Sequence, residues 1–221
     1  MIRTKVFLFG LLLSFMASFS QESTVTFLAL GDSYTIGTGE DINNNWPNQF
    51  TQILFKKGYK TESKILAAAG WTTEKLLMEI KMEDLQPNYS LVSLLIGVNN
   101  QYRGMDFESF KKDFTTLLDK CSELVQEDNR KVMVLSIPDW SVTPFARFKD
   151  KDRIVTELKA YNTYIKEETE KRNMLYIEIT KQSRNAEVNP ALLASDSLHP
   201  SKKMYKLWAK KISKMVLKEL N

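Results

Sequence analysis

Apolar positions along the chain fall into two alternating patterns. Five short runs are almost continuously hydrophobic: residues 24–30 (TVTFLAL), 64–69 (KILAAA), 91–98 (LVSLLIGV), 131–138 (KVMVLSIP) and 174–180 (MLYIEIT). Runs of this length without strict alternation predict strands buried on both faces of a parallel sheet. Between them the spacing changes to three and four residues. Phe107, Phe110, Phe114, Leu117, Leu118, Cys121, Leu124 and Val125 keep that rhythm, as do Ile154, Leu158, Tyr161 and Ile165, and later Met204, Leu207, Trp208, Ile212 and Met215. Each set predicts a helix with one apolar face. Helix starts are expected at Pro47, a first-turn proline, at Thr72 or Thr73 ahead of Glu74, and at Ser201. Strand alternating with helix predicts an α/β fold with right-handed crossovers. No internal repeat, low-complexity tract or second-domain boundary interrupts the pattern. The longest irregular piece, residues 138–153, follows the fourth run. In open parallel sheets ligands bind beyond the carboxyl ends of the strands, so chemistry is sought in the segments that follow each strand.

The N-terminus changes the picture first. Arg3 and Lys5 precede an apolar run over residues 6–19, and Ser18 and Ser20 frame a cut before Gln21. This is the pattern of a secretory signal peptide, too short for the ~20 apolar residues of a membrane span. The expected organisation is a leader, residues 1–20, and one domain, residues 21–221, exported to the periplasm or medium. No cysteine follows the leader to take a lipid. Of 221 residues, 43% are hydrophobic and 26% charged. A single domain of that size buries roughly 70% of its unfolded surface. The net charge of +4 includes two charges that leave with the leader, and Lys202, Lys203, Lys206, Lys210, Lys211 and Lys214 read as one solvated helix face. Basic residues are not interleaved with aromatics, so no nucleic-acid partner is expected. Cys121 is the only cysteine, which excludes an intramolecular disulfide, and its helical apolar neighbours predict core packing. One cysteine and one histidine also exclude the usual Cys/His zinc sites.

Four segments after strands carry chemistry. The first run leads into GDSYTIG with Ser33, the second into AGWTT with Gly70, and the third into GVNNQYRG with Asn99; beyond the fifth comes DSLHPS with Asp196 and His199. Taken singly, each has a bland reading. Gly-Asp-Ser at a strand end and Asn99-Asn100 are turn formers, Gly70 permits unusual dihedrals, and Asp196 caps a turn ahead of a helix. Taken together they supply the parts of acyl transfer. A serine hydroxyl needs a base, and His199, the only histidine, is suited to that role. A carboxylate on the second imidazole nitrogen fixes its tautomer. Backbone N–H groups at Ser33 and Gly70 and the Asn99 amide are suitable donors for an oxyanion. Competing motifs fail on residues. The GDSYTIGTGE loop has no lysine for a phosphate-binding P-loop, its glycines are not spaced for a dinucleotide, and Ser33 does not sit in G-x-S-x-G.

These four blocks resemble those of the SGNH, or GDSL, hydrolases, in the family's order and across essentially the whole domain. The resemblance implies a flavodoxin-like three-layer α/β/α sandwich with five parallel strands ordered 2-1-3-4-5. It also implies Ser33 as nucleophile and first oxyanion donor, Gly70 and Asn99 as the other donors, His199 as base and Asp196 as its orienter, with no metal or organic cofactor. The chain departs from the family pattern at three points: LAAAGWTT lacks the asparagine often found shortly before the glycine, Asn100 replaces a common aspartate, and Tyr34 stands where many members have leucine. The implied activity is ester hydrolysis on a carbohydrate acetyl group or a short-chain ester. The alternatives are a lysophospholipase or thioesterase-like lipid hydrolase, or a non-catalytic carbohydrate binder on the same fold. Trp71, with Trp46, Trp140 and Tyr102, is a candidate substrate contact near these loops.

Overall fold

The computed structural model describes residues 24–218; the expected leader lies outside them. Five parallel strands form one sheet: β1 (Val25–Gly31), β2 (Thr61–Ala67), β3 (Leu91–Leu95), β4 (Val132–Leu135) and β5 (Leu175–Ile177), in the order β2-β1-β3-β4-β5. This is the flavodoxin-like order. The helices are α1 (Ser33–Ile36), α2 (Trp46–Lys56), α3 (Thr73–Met82), α4 (Val98–Tyr102), α5 (Phe107–Leu124), α6 (Lys151–Lys171), α7 (Thr180–Ser183) and α8 (Lys202–Val216). Helices α2 and α8 pack together on one face of the sheet, and α5 packs against α3 and α6 on the other. That division is what right-handed crossovers produce for this order.

The central strands explain the continuous apolar runs. Leu28, Ala29 and Leu30 of β1 and all five residues of β3 are buried, because helices cover both sheet faces. Strand β2 differs from expectation. It begins earlier, at Thr61, and Glu62, Ser63 and Lys64 are exposed, because it forms the edge of the sheet. On one face Phe27 of β1 meets Trp46 and Phe50 of α2, with ring centroids 6.2 and 5.2 Å apart. Trp46 is thus fully buried in the core, away from any surface loop. On the other face Phe110 of α5 packs against Tyr161 of α6 at 4.3 Å. Cys121 lies in this core, and burial pushes its thiol up to about 12. Among the described residues no helix is long and apolar enough to cross a membrane.

The register sets up the site. Gly31, Ala67 and Leu95 are partners across β1, β2 and β3, so three strands end level with one another. Ser33, Gly70 and Asn99 follow these ends by two to four residues and leave the sheet side by side.

Candidate active site

Strand β1 turns into α1 at Gly31. A Cβ on Gly31 would stand 2.2 Å from Thr35 Oγ1 and 2.5 Å from the Leu95 carbonyl, so only glycine lets the chain fold back this tightly. Asp32 caps α1 by accepting the Tyr34 N–H at 3.0 Å, and Ser33 follows as the first helical residue. The second Asp32 oxygen is buried without a hydrogen-bond partner among the described residues. Burial pushes its carboxyl up to about 7, against the opposing pull of the backbone N–H groups.

The next two loops form an interlocked pair. Ala68 to Trp71 make a tight turn closed by a 3.3 Å backbone bond, with Gly70 at φ 81° in its third position. Helix α4 holds this turn. Arg103 Nη2 donates to the Gly70 carbonyl at 2.7 Å, and Asn99 Nδ2 donates to the Trp71 carbonyl at 2.9 Å. Asn100, buried, accepts the Thr73 N–H at 3.1 Å and donates to Thr73 Oγ1 at 2.9 Å. The Asn99 amide uses one hydrogen on Trp71 and keeps its second for another acceptor.

The last loop presents an imidazole joined to a carboxylate. His199 Nδ1 lies 2.6 Å from Asp196 Oδ2, while Asp196 Oδ1 accepts the N–H groups of Leu198 and His199 at 3.0 and 2.9 Å. Partial burial raises the Asp196 carboxyl, but these hydrogen bonds outweigh it and hold the group below the ordinary carboxylate range. With Nδ1–H donated to Asp196, Nε2 is the basic nitrogen. The Tyr34 ring packs beside the imidazole, 5.4 Å centroid to centroid and tilted by 58°.

Ser33, Gly70, Asn99 and His199 line one cavity of about 150 Å³. Among the described residues no hydrogen bond joins Ser33 Oγ to His199, so the imidazole and the hydroxyl share the cavity without direct engagement. The remaining wall is apolar and aromatic, from Val98, Tyr102, Trp140, Phe145 and Leu198. Tyr102, Trp140 and Phe145 stand mutually 5.6 to 6.0 Å apart, centroid to centroid. Trp140 Nε1 donates to Gln101 at 2.9 Å, and Gln101 donates onward to Glu157 at 2.8 Å, which locks this wall. Trp71 does not line the cavity; its carbonyl serves the Asn99 amide instead. No group of three metal-ligating side chains gathers among the described residues.

Sequence reasoning missed two residues that tie the Ser33 loop to the segment carrying Asp196, His199 and the start of α8. Gly39, at φ 86°, leaves room for Asp196: a Cβ there would meet Ala194 Cβ at 2.9 Å and Asp196 Oδ2 at 3.1 Å. Ser201 stands at the N-cap of α8, but its side chain does not cap the helix. Glu40, 162 residues away in sequence, accepts the Lys202 N–H at 2.8 Å in its place. Both residues belong to the loop after Ser33, so the hydroxyl loop and the imidazole loop are built against each other. The GTGE spacing signals the turn, but nothing local signals its partner.

A family model described as the GDSL-like lipase/acylhydrolase family matches residues 29–207. No curated protein sequence matches the chain. Solved structures share the fold at low identity. The psychrotrophic esterase EstA from Pseudoalteromonas sp. superposes with a TM-score of 0.69 at 18% identity, covering 89% of this chain and 98% of that one. The lipase/acylhydrolase from Enterococcus faecalis gives 0.70 at 19%, covering 89% and 97%. The acetyl xylan esterase AlAXEase gives 0.69 at 19%, covering 87% and 100%.

Proposed function

The chain belongs to the GDSL-like lipase/acylhydrolase family and is an ester-bond hydrolase, and from that premise we propose that it cleaves short-chain carboxylic esters through an acyl–enzyme on Ser33. Ser33 Oγ attacks the ester carbonyl while His199 Nε2 takes its proton. Asp196 holds the imidazole tautomer and stabilises the imidazolium. The N–H groups of Ser33 and Gly70 and the free hydrogen of the Asn99 amide receive the oxyanion. His199 then protonates the departing alcohol. Water, activated by the same base, releases the acid and restores Ser33.

One observation carries this reading: the four groups it needs line one small cavity, with the carboxylate already 2.6 Å from the imidazole. The acyl size follows from volume. About 150 Å³ is the space that holds one benzene-sized molecule in a protein interior, so an acyl group of about six carbons or fewer fits within it. The similarity to a protein named as an acetyl xylan esterase makes acetylated carbohydrate the first natural substrate to test. Export after loss of residues 1–20 is part of the same proposal and rests on the leader pattern alone.

The test is hydrolysis of p-nitrophenyl acetate, butyrate, octanoate and palmitate, with Ser33→Ala as control. Acetate or butyrate should be preferred and the variant inactive. Equal release by wild type and Ser33→Ala would leave a non-catalytic binder on this fold as the better reading.

A further inference from the structure

Helix α4 and its C-cap residue Arg103 hold the Gly70 turn and the start of α3 at three points, and the grip on Thr73 is made by Asn100, where the resembled family commonly has aspartate. Resting on the reading of Gly70 as an oxyanion donor, we propose that Asn100, Thr73 and Asp113 form a one-way hydrogen-bond chain that positions the Gly70 turn. We further propose that position 100 must be an amide because position 113 is a carboxylate.

The direction of each bond is fixed by chemistry. Asp113 Oδ2 lies 3.2 Å from Thr73 Oγ1, and a carboxylate can only accept. The Thr73 proton therefore points to Asp113, which leaves the hydroxyl oxygen free to accept. Its other neighbour is Asn100 Nδ2 at 2.9 Å, which can only donate. The opposite face of the same amide, Oδ1, must then accept, and it meets the Thr73 N–H at 3.1 Å. That N–H opens α3 and has no acceptor within its own helix. The Thr73 N–H, the Thr73 hydroxyl and both ends of the Asn100 amide each have a partner, and Thr73 and Asn100 are 0% and 1% exposed, so water cannot replace a bond between these two.

An aspartate at 100 would break this order. It could still accept the Thr73 N–H, so α3 would keep its cap. Its second oxygen would compete with Asp113 for a single hydroxyl proton, and two carboxylates would face one oxygen. The relief is separation, which moves Thr73 and the turn three residues before it. Asn99 and Arg103 hold the same turn through the Trp71 and Gly70 carbonyls, so strain at Asn100 is transmitted to the N–H of Gly70. These are positioning residues: none lines the cavity except Asn99, which the proposed mechanism already uses.

The chain can run in reverse, and that is the test. In Asn100→Asp/Asp113→Asn the amide at 113 donates to Thr73 Oγ1 and the hydroxyl donates to the carboxylate at 100. Asn100→Asp alone should lower kcat on p-nitrophenyl acetate about ten- to hundredfold with KM within about threefold, because oxyanion donors act in the transition state. The double variant should return to within about threefold of wild type, whereas Asp113→Asn alone gains nothing. Hydrogen–deuterium exchange of peptides covering residues 68–76 should rise in Asn100→Asp and fall back in the double variant. Wild-type kcat and exchange in Asn100→Asp, or a double variant no better than the single, would overturn the proposal. If Asn100→Asp does not fold, Thr73→Ser should keep at least about threefold more kcat than Thr73→Val, and equal values would overturn it. Should wild type prove no faster than Ser33→Ala, the hydrolase reading fails, while the exchange pattern still decides whether the chain positions the turn.

Discussion

On the flank of the cleft made by the loops after β2 and β3, Asn99, Asn100, Thr73 and Arg103 each have a hydrogen-bond partner, and those partners are one another, the turn they hold or Asp113 on α5. The flank made by β1, α1, α2 and α8 is built differently. There Asp32 Oδ2, Thr35 Oγ1, Trp46 Nε1, Tyr205 OH and Trp208 Nε1 are all buried without a hydrogen-bond partner among the described residues. Aromatic contact takes the place of polar pairing, with Trp208 5.4 Å from Tyr205 and 6.4 Å from Tyr34. Burial drives the Tyr205 and Tyr34 hydroxyls well above the ordinary range. The donor side of the proposed reaction is thus fixed by directional bonds, and the nucleophile side by aromatic packing together with bonds from Glu40 and Gln49 to Lys202. The two aspartates of the nucleophile side also diverge: burial raises Asp32, whereas hydrogen bonds lower Asp196.

The largest expected difference between the flanks is catalytic. Ser33→Ala and His199→Ala should each lower kcat by about 10⁴-fold or more and to similar extents, since such groups act as a unit. Asn99→Ala should cost only about 10²- to 10³-fold, as for one oxyanion donor. A mild His199→Ala phenotype would break the assignment of the base.

Next comes a pH effect confined to the packed flank. Asp32 is raised from 3.8 to about 7 in the folded state, so its ionisation opposes folding once the pH passes its unfolded value. Stability from this group is complete below about pH 4 and is lost as pH rises towards 7. Asp32→Asn keeps an oxygen for the Tyr34 N–H and removes the titration. The unfolding free energy of wild type relative to Asp32→Asn should therefore fall by about 2–3 kcal/mol between pH 5 and pH 8. Urea melts at both pH values check this, and a constant difference would show that Asp32 is not held neutral.

The smallest contrast uses one substitution in two places. Thr73 Oγ1 is bonded on both sides, whereas Thr35 Oγ1 is buried and unpaired. Thr73→Val should destabilise by about 1–3 kcal/mol, because it orphans the buried Asn100 amide and the half-buried Asp113 carboxylate, while Thr35→Val should stay within about 0.5 kcal/mol of wild type or gain stability. Thermal melts giving equal costs at both sites would erase the distinction between the flanks.

The packed flank was also the harder one to read in advance. Ser33, Gly70 and Asn99 announce themselves because each follows a strand end, visible as an apolar run stopping at glycine or polar residues, whereas Asp196 and His199 stand out because the chain's single histidine has a carboxylate three residues before it. Trp46 looked available to a ligand because a tryptophan opening a helix carries no local sign of burial; its contact with Phe27, on a strand nineteen residues earlier, places it in the core. Glu40 reaches Lys202, and Gly39 clears space for Asp196, across most of the chain. The link from Asn100 to Asp113 has the same character, since a departure from a familiar motif gains meaning only once its partner on α5 is known. Strand β2 was legible as a strand, but its edge position, and hence its exposed first half, depends on topology rather than on its own residues.

The aromatic wall has a geometric consequence of its own. Tyr102 and Trp140 face the 150 Å³ cavity on one side and, on the other, a second cleft of about 280 Å³ bordered by Arg103, Lys149 and Arg153. They act as a partition between two compartments, and the thickness of that partition is a single layer of rings. Trp140→Ala would join the compartments and give the acyl chain a longer channel whose far end carries both signs of charge, Asp150 and Glu157 beside the three cations. Chain-length preference would then be a property of one removable door rather than of the cavity as a whole, and a shift in optimum from butyrate towards octanoate would measure how far it opens.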